Sequence, residues 1–413
     1  MFLHVRFAVH SIQARKNLEI AVTGIGAISA IGNDVQENLR SLVAKESGIG
    51  KAKLLSSKHT ATHLFGEVKL SNDELKTGLN WNSDAVSRTT LLSVWAMKEA
   101  INQAGIEIDS QVGLVSSTSV GGMDRSEDFF EPYYTEQNFE NVFMLGTHDC
   151  GTCTKQAAEH FGITAYATTI STACSSAANA IAMGARLLRQ GKLKRVIVGG
   201  TDALCRFTTN GFNSLMILDN EWCKPFSANR EGLNLGEAAG YLVLESKEDA
   251  EARGAEIHGL VTGWANTNDA YHQTASSPDG NGAFMAMKQA LEKASLKSSD
   301  ISYINAHGTG TQNNDQSESI AIHRVFGAQK PPISSTKAFT GHTLAAAGAI
   351  EAVYSILALK ENKLFPNLNY QDPIEENDWK PQLEVEETEI NHVLSNSFGF
   401  GGNNSTVIFS KQC

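Results

Sequence analysis

Apolar, β-branched runs alternate along the chain with alanine-rich segments, and this alternation predicts the elements. Leu18–Thr23 reads as the first strand, followed by a glycine turn, and residues 1–17 before it read as an extension. Val112–Thr118 is a β-branched run. Arg195–Val198 is a short buried strand ending in Gly199-Gly200, and Tyr241–Glu245 is another strand. Ser175–Arg189 and Ala283–Ala294 read as helices. Strands taking turns with helices predict a layered α/β fold. The longest apolar stretch, Leu344–Leu359, is short for a membrane span and contains Glu351, so it reads as a buried core helix.

The order of elements repeats approximately. Ser171-Thr172-Ala173-Cys174 leads into one alanine-rich helix, and Ser335-Thr336-Lys337 with Gly341-His342 leads into another. Val112–Ser119 precedes the first and Ile301–Thr311 the second, each a strand ending in small polar residues. Val196–Gly200 and Val393–Gly402 follow them, each a strand running into glycines. This order suggests a duplication, with an N-terminal half over 18–255 and a C-terminal half over 256–413; chance similarity between alanine-rich helices is the plain alternative.

Composition narrows the function classes. At 413 residues the chain exceeds a single-core domain, which fits two packed halves. Hydrophobic residues make up 41% and charged residues 19%, an ordinary globular composition that argues against disorder. The net charge of −11 and the lack of a basic, aromatic-interleaved stripe argue against nucleic-acid binding. Six scattered cysteines form no disulfide framework, and Met1–Lys16 has no apolar signal core, so we expect a reduced, cytoplasmic protein away from the membrane.

Cys174 is the first candidate nucleophile. Small neighbours would let a thioester approach, and a helix N-terminus would favour the thiolate. A buried, inert cysteine is the equal alternative on local sequence. Two histidines in glycine-flanked turns shift that balance: His307 in Asn305-Ala306-His307-Gly308-Thr309-Gly310-Thr311, and His342 in Gly341-His342-Thr343. Both fall at element ends, where layered α/β folds gather active-site groups. The glycines of Asn396–Asn404 would let backbone N–H groups point into a site; a β-bulge or hairpin turn is the structural alternative.

Together, Thr172–Ser176, Asn305–Thr309, Lys337 through His342, and Asn396–Gly402 resemble the β-ketoacyl-acyl carrier protein synthases, most nearly the type II elongating branch with a Cys-His-His triad. The resemblance covers the chain from about Leu18 to its end. It implies a thiolase-like five-layered α-β-α-β-α fold of two pseudo-repeated halves, working as a homodimer. It implies decarboxylative condensation of an acyl thioester with malonyl-acyl carrier protein, lengthening a fatty-acyl or polyene chain by two carbons. No cofactor is implied beyond the phosphopantetheine of the carrier. By the same resemblance Cys174 would take the acyl group, with backbone N–H groups of Cys174 and Phe400 holding the oxyanion. His307 and His342 would stabilise the enolate, and alanine at either would leave acyl transfer largely possible. Lys337 would be supported by Glu351, and Phe400 would also gate the acyl pocket. Asp315 and Glu318 match acidic family positions and receive no catalytic role.

Two features depart from the family pattern. Asn403 stands where threonine is frequent, and Gly121–Tyr134 carries Asp124, Glu127, Asp128 and Glu131 where carrier-docking basic residues are frequent. Other readings fit less well. Gly24-Ile25-Gly26-Ala27-Ile28-Ser29 lacks the third glycine of a dinucleotide fingerprint. Cys150-Gly151-Thr152-Cys153 has no second ligand pair for a metal. A non-catalytic chain-length-factor-like subunit would lack the nucleophile, and a thiolase would carry a second cysteine in the C-terminal glycine loop.

Overall fold

A computed structural model describes residues 18–374, 377 and 379–412; the proposed extension over 1–17 lies outside them. Twelve strands are present among the described residues: β1 Ile20–Ile28, β2 Val112–Ser117, β3 Tyr166–Ile170, β4 Arg195–Asp202, β5 Ala238–Ser246, β6 Gly259–Asn268, β7 Tyr303–Asn305, β8 Ile333–Ser334, β9 Lys363–Leu364, β10 Glu386–Glu387, β11 His392–Gly399 and β12 Asn403–Ser410. Eight helices carry the packing: α1 Arg88–Ala104, α2 Met123–Glu136, α3 Cys150–Phe161, α4 Ser176–Arg189, α5 Arg206–Ser214, α6 Asn281–Ala294, α7 Gln312–Phe326 and α8 Ala347–Glu361.

Ten strands join in the order β3-β2-β4-β5-β1-β6-β12-β11-β7-β8. From the centre outward both halves read alike. β1, β5, β4, β2, β3 on one side match β6, β12, β11, β7, β8 on the other. The pairing sense matches too: β5 and β12 run antiparallel to their neighbours, while β4-β2-β3 and β11-β7-β8 are parallel. Among the described residues the two sheets pair through only Ala21↔Leu260 and Val22↔Gly259, so this is two five-stranded sheets sharing a corner.

Helices α4 and α8 lie between the sheets, with α1 and α3 outside the first and α6 and α7 outside the second. That is the thiolase-like five-layered fold with two pseudo-repeated halves. Helix α8 is buried from Ala347 to Leu359, which explains why Leu344–Leu359 shows no polar face.

The turn expected after Thr23 is absent, because β1 continues through Gly24 and Gly26 to Ile28. These glycines are needed for close approach rather than for turning. A Cβ at Gly26 would lie 2.0 Å from the carbonyl oxygen of Ala96, and one at Gly24 2.2 Å from that of Ala100, both on α1. The second half repeats the device, with Gly263 of β6 against Ala290 of α6. The strand expected over Ile301–Thr311 is likewise shorter: β7 stops at Asn305, where the chain turns through Gly308 (φ 38°) and Gly310 (φ 82°).

Gly26→Val should therefore destabilise the protein by at least about 2 kcal/mol, since backbone rather than a movable side chain meets the new atoms. A lowered urea midpoint with unchanged slope checks this.

Candidate active site

Four segments that follow strand C-terminal ends converge. Cys174 comes after β3, His307 after β7, Lys337 and His342 after β8, and Phe400 after β11. Cys174 and His342 occupy related places, since β3 and β8 are the outermost strands and each segment leads into a central helix.

Cys174 is buried, one residue ahead of the N-cap of α4. Ala173 before it holds φ 52°, a left-handed conformation that costs a non-glycine residue about 1–3 kcal/mol and turns the chain sharply into the helix. The β11–β12 hairpin presses on this turn: a Cβ at Gly399 would lie 3.1 Å from the Cys174 nitrogen. Its Phe400 N–H reaches the Cys174 thiol. The Asn396–Asn404 segment is thus both a hairpin turn and a donor.

The thiolate expected from the helix terminus is not what the site favours. Burial pushes the Cys174 thiol up to about 11, against the opposing pull of Lys337 and of the Phe400 and Cys174 N–H groups. Desolvation outweighs the helix end, and the resting group is a thiol. His342 Nε2 lies 3.0 Å from Sγ.

The His307 and His342 rings meet edge to face, centroids 5.3 Å apart. Both are buried, and both pKa values fall well below 6.5, first through desolvation and then through the nearby Lys337 charge. They are neutral imidazoles at pH 7. No described protein group bonds either Nδ1, and the His342 ring meets the Cys174 thiol through Nε2.

Lys337 and Glu351 are each 2% exposed and hydrogen-bonded, so this is no surface salt bridge. Lys337 Nζ also donates to the His307 carbonyl at 2.5 Å. The lysine therefore ties helix α8 to the His307 turn. Burial raises Glu351 to about 7 against the pull of Lys337.

Glu318, given no role from sequence, is the other clamp on that turn. Its oxygens accept from the N–H groups of His307 (2.9 Å) and Gly308 (2.8 Å), and from Asn396 Nδ2 (3.0 Å). Burial pushes it up to about 7. Asp315 similarly accepts from the Phe226 and Gly310 N–H groups. Asp202, not singled out from sequence, accepts from Thr118 Oγ1, Ser119 and the Ala345 N–H beside the His342 turn. Asp202 bonds Ser119 across 83 positions and Ala345 across 143, whereas Glu318 and Asp315 reach back from α7 onto the turn just before it, 11 positions to His307 and 5 to Gly310.

Cys174, His307, His342 and Phe400 line one cavity of about 260 Å³, together with the apolar Phe212, Leu233 and Phe398 and the polar Thr309, Thr311 and Asn313. The Phe400 ring stacks on Phe212, centroids 5.7 Å apart. Lys337 is brought beside the histidines but does not line the cavity. The acidic residues of α2 are engaged within the protein: Asp124 accepts from the Arg88 N–H, and Glu127 and Glu131 pair with Arg206.

A thiol at the start of a central helix, two neutral imidazoles and a converging backbone N–H, set in a thiolase-like α/β body, define a thioester condensing enzyme. The chain belongs to the beta-ketoacyl synthase family: the N-terminal domain model of that family matches residues 17–250 and the C-terminal domain model residues 258–371. It is 33% identical over 410 residues to the 3-oxoacyl-[acyl-carrier-protein] synthase 2 of Staphylococcus aureus (96% of this chain, 99% of that protein). It is 36% identical over 419 residues to the same-named protein of Synechocystis (96% and 99%). Among solved structures, the ishigamide ketosynthase/chain length factor superposes with a TM-score of 0.90 at 29% identity, covering 96% of this chain and 100% of that one. The ketosynthase ApeO in complex with its chain length factor ApeC, from Xenorhabdus doucetiae, gives 0.83 at 31% identity, with 96% and 98% covered.

Lys337→Met should cost about 3–5 kcal/mol, because it strands the Glu351 carboxyl in the core. Lys337→Met combined with Glu351→Leu should recover part of that loss. Urea unfolding of the four proteins in the cycle measures both.

Proposed function

We propose that this chain catalyses the 3-oxoacyl-[acyl-carrier-protein] synthase reaction, with Cys174, His307, His342 and the Phe400 N–H as its working groups. The 3.0 Å contact between His342 Nε2 and Cys174 Sγ, with His307 edge-on beside it, carries the reading.

In the first half-reaction the thiol gives its proton to His342 Nε2, and Sγ attacks the acyl carbonyl. The N–H groups of Cys174 and Phe400 hold the oxyanion. The carrier's phosphopantetheine thiol then leaves with the proton. In the second, a malonyl thioester loses carbon dioxide, and the electron pair moves to its carbonyl oxygen, held by His307 and His342. The enolate carbon attacks the Cys174 thioester and expels Sγ; a solvent proton restores the thiol. His342 thus accepts at Nε2 in one half-reaction and donates in the other; its hydrogen moves between the two nitrogens from one half-reaction to the next, which a ring with no Nδ1 partner among the described residues permits. Burial, and then the Lys337 charge, keep both rings neutral, and Lys337 with Glu318 holds the His307 turn. Phe400, stacked on Phe212, is suited to gate the acyl pocket.

The acyl carrier protein as partner is supported by the relatives' names; the substrates in this reading are acyl and malonyl groups carried on it, with no cofactor besides the carrier's phosphopantetheine. The halves divide near residue 255, so the nucleophile comes from the first and both histidines from the second. A homodimer is supported by β3, an edge strand with partly exposed residues that a second copy can pair. A cytoplasmic setting is supported by the free thiols of the five cysteines among the described residues. No helix among the described residues is long and apolar enough to cross a membrane.

Cys174→Ala should abolish condensation and retain malonyl decarboxylation, with an acyl adduct on Cys174 of the wild type and none on the variant by intact-protein mass spectrometry. An adduct on Cys153, Cys205 or Cys223 would falsify the assignment. His307→Ala should lower decarboxylation by about a hundredfold or more and spare acylation, whereas His342→Ala should slow both, because it also removes the proton acceptor at Sγ.

Because burial lowers both histidines, the rings stay neutral as pH falls through 6.5. Decarboxylation kcat/KM should be flat from pH 8 to 6, and an inflection near 6.5 would contradict neutral donors.

A further inference from the structure

Asn403 begins β12, directly across the hairpin from Gly399 and three residues beyond Phe400. Its side-chain oxygen accepts from Ser175 Oγ at 2.6 Å, from Asn179 Nδ2 at 3.1 Å and from Asn266 Nδ2 at 2.7 Å. Ser175 is fully buried and follows Cys174 in the chain, and its hydroxyl also lies 2.7 Å from the Thr172 carbonyl. Asn179 Nδ2 reaches Thr172 Oγ1 as well, at 2.9 Å. The donors on Asn403 Oδ1 therefore come from the segment that flanks the nucleophile, and the network returns to Thr172 on its other side.

The two N–H groups that would hold the oxyanion sit on separate pieces of chain, Cys174 on the helix start and Phe400 on the hairpin. Among the described residues, the side-chain hydrogen bonds joining segment 172–179 to residues 399–403 end on Asn403 Oδ1, apart from the Phe400 N–H on the Cys174 thiol itself; Ser405 adds one to Asn179 further along β12. Oxyanion donors must be fixed to within a fraction of an ångström to stabilise developing charge without reorganising. An amide oxygen suits the task, because it has no hydrogen of its own to place and gathers several donors at once.

We propose that Asn403 is a positioning residue for acyl transfer. It latches the Phe400 hairpin to the Cys174 turn and so sets the distance between the two oxyanion N–H groups. The proposal rests on the reading of Cys174 as the acylated residue. It separates the two half-reactions, because the enolate donors His307 and His342 lie on other segments and make no bond to this network.

The test is single-turnover acylation by an acyl-carrier thioester, read by intact-protein mass spectrometry, beside malonyl decarboxylation by the same proteins. Asn403→Ala should lower the acylation rate constant by about tenfold to a hundredfold, with the apparent thioester affinity and the decarboxylation rate within about twofold of wild type. Asn403→Thr, whose hydroxyl still accepts from Ser175, should return acylation to within about threefold. If Asn403→Ala does not fold, Ser175→Ala removes the latch from the other side and should show the same selective loss. Wild-type acylation by Asn403→Ala or Ser175→Ala, or a parallel fall in both half-reactions, overturns the inference. Failure of the wild type itself to acylate at Cys174 would instead sink the reading on which it rests.

Discussion

The buried ammonium of Lys337 is the interaction on which the site depends. It bonds the carboxylate of Glu351 on the central helix and the carbonyl of His307 on a strand-end turn, so one charge joins the core of the body to the catalytic surface. Burying such a pair contributes little net stability by itself, since desolvation offsets the attraction. What it contributes is geometry and field. The turn carrying His307 is held from one side by Lys337 through its carbonyl and from the other by Glu318 through two N–H groups. The same positive charge acts on both imidazoles and on Cys174.

Desolvation then sets the protonation states. It raises the thiol to about 11 and lowers both histidines, so the resting site holds a neutral thiol and neutral rings. A neutral site suits a reaction that must move a proton off sulfur and later stabilise an enolate: the rings accept or donate a hydrogen without first shedding a charge. The carboxylates Glu318, Glu351 and Asp202 are kept out of the cavity and spent on backbone N–H groups, hydroxyls and the lysine. They fix positions without competing for the reacting proton.

The pseudo-repeat explains why so few residues suffice. Each half ends an outer strand with a short segment leading into a central helix, and the two segments deliver Cys174 and His342 to within 3.0 Å. Each half also relies on strand glycines that let an outer helix lie against the sheet, Gly24 and Gly26 in one and Gly263 in the other. The two strand-end turns are equivalent in place and differ in what they carry, Cys174 on one and His342 on the other. The hairpin carrying Phe400 and Asn403 closes the gap between them.

The sequence by itself determined the layered α/β class, the buried course of Leu344–Leu359, the repeated order of elements and the candidate set Cys174, His307, His342, Lys337 and Phe400. Those signals are local, since apolar periodicity, small residues before a cysteine and glycines around a histidine are written within a few positions. The tertiary structure alone decided the rest. Whether Gly24 and Gly26 turn the chain or admit a helix depends on α1, some seventy residues away. Helix-end potential at Cys174 is a local expectation, and it lost to burial, which is a property of the whole fold. Asp202 and the Asn403 latch were invisible as partners because each acts through space on a segment far along the chain, and Glu318 because its nearness to His307 in sequence does not show which N–H groups its carboxylate takes. Local sequence names the groups that react; which atoms hold them in place follows only once both halves have closed around the site.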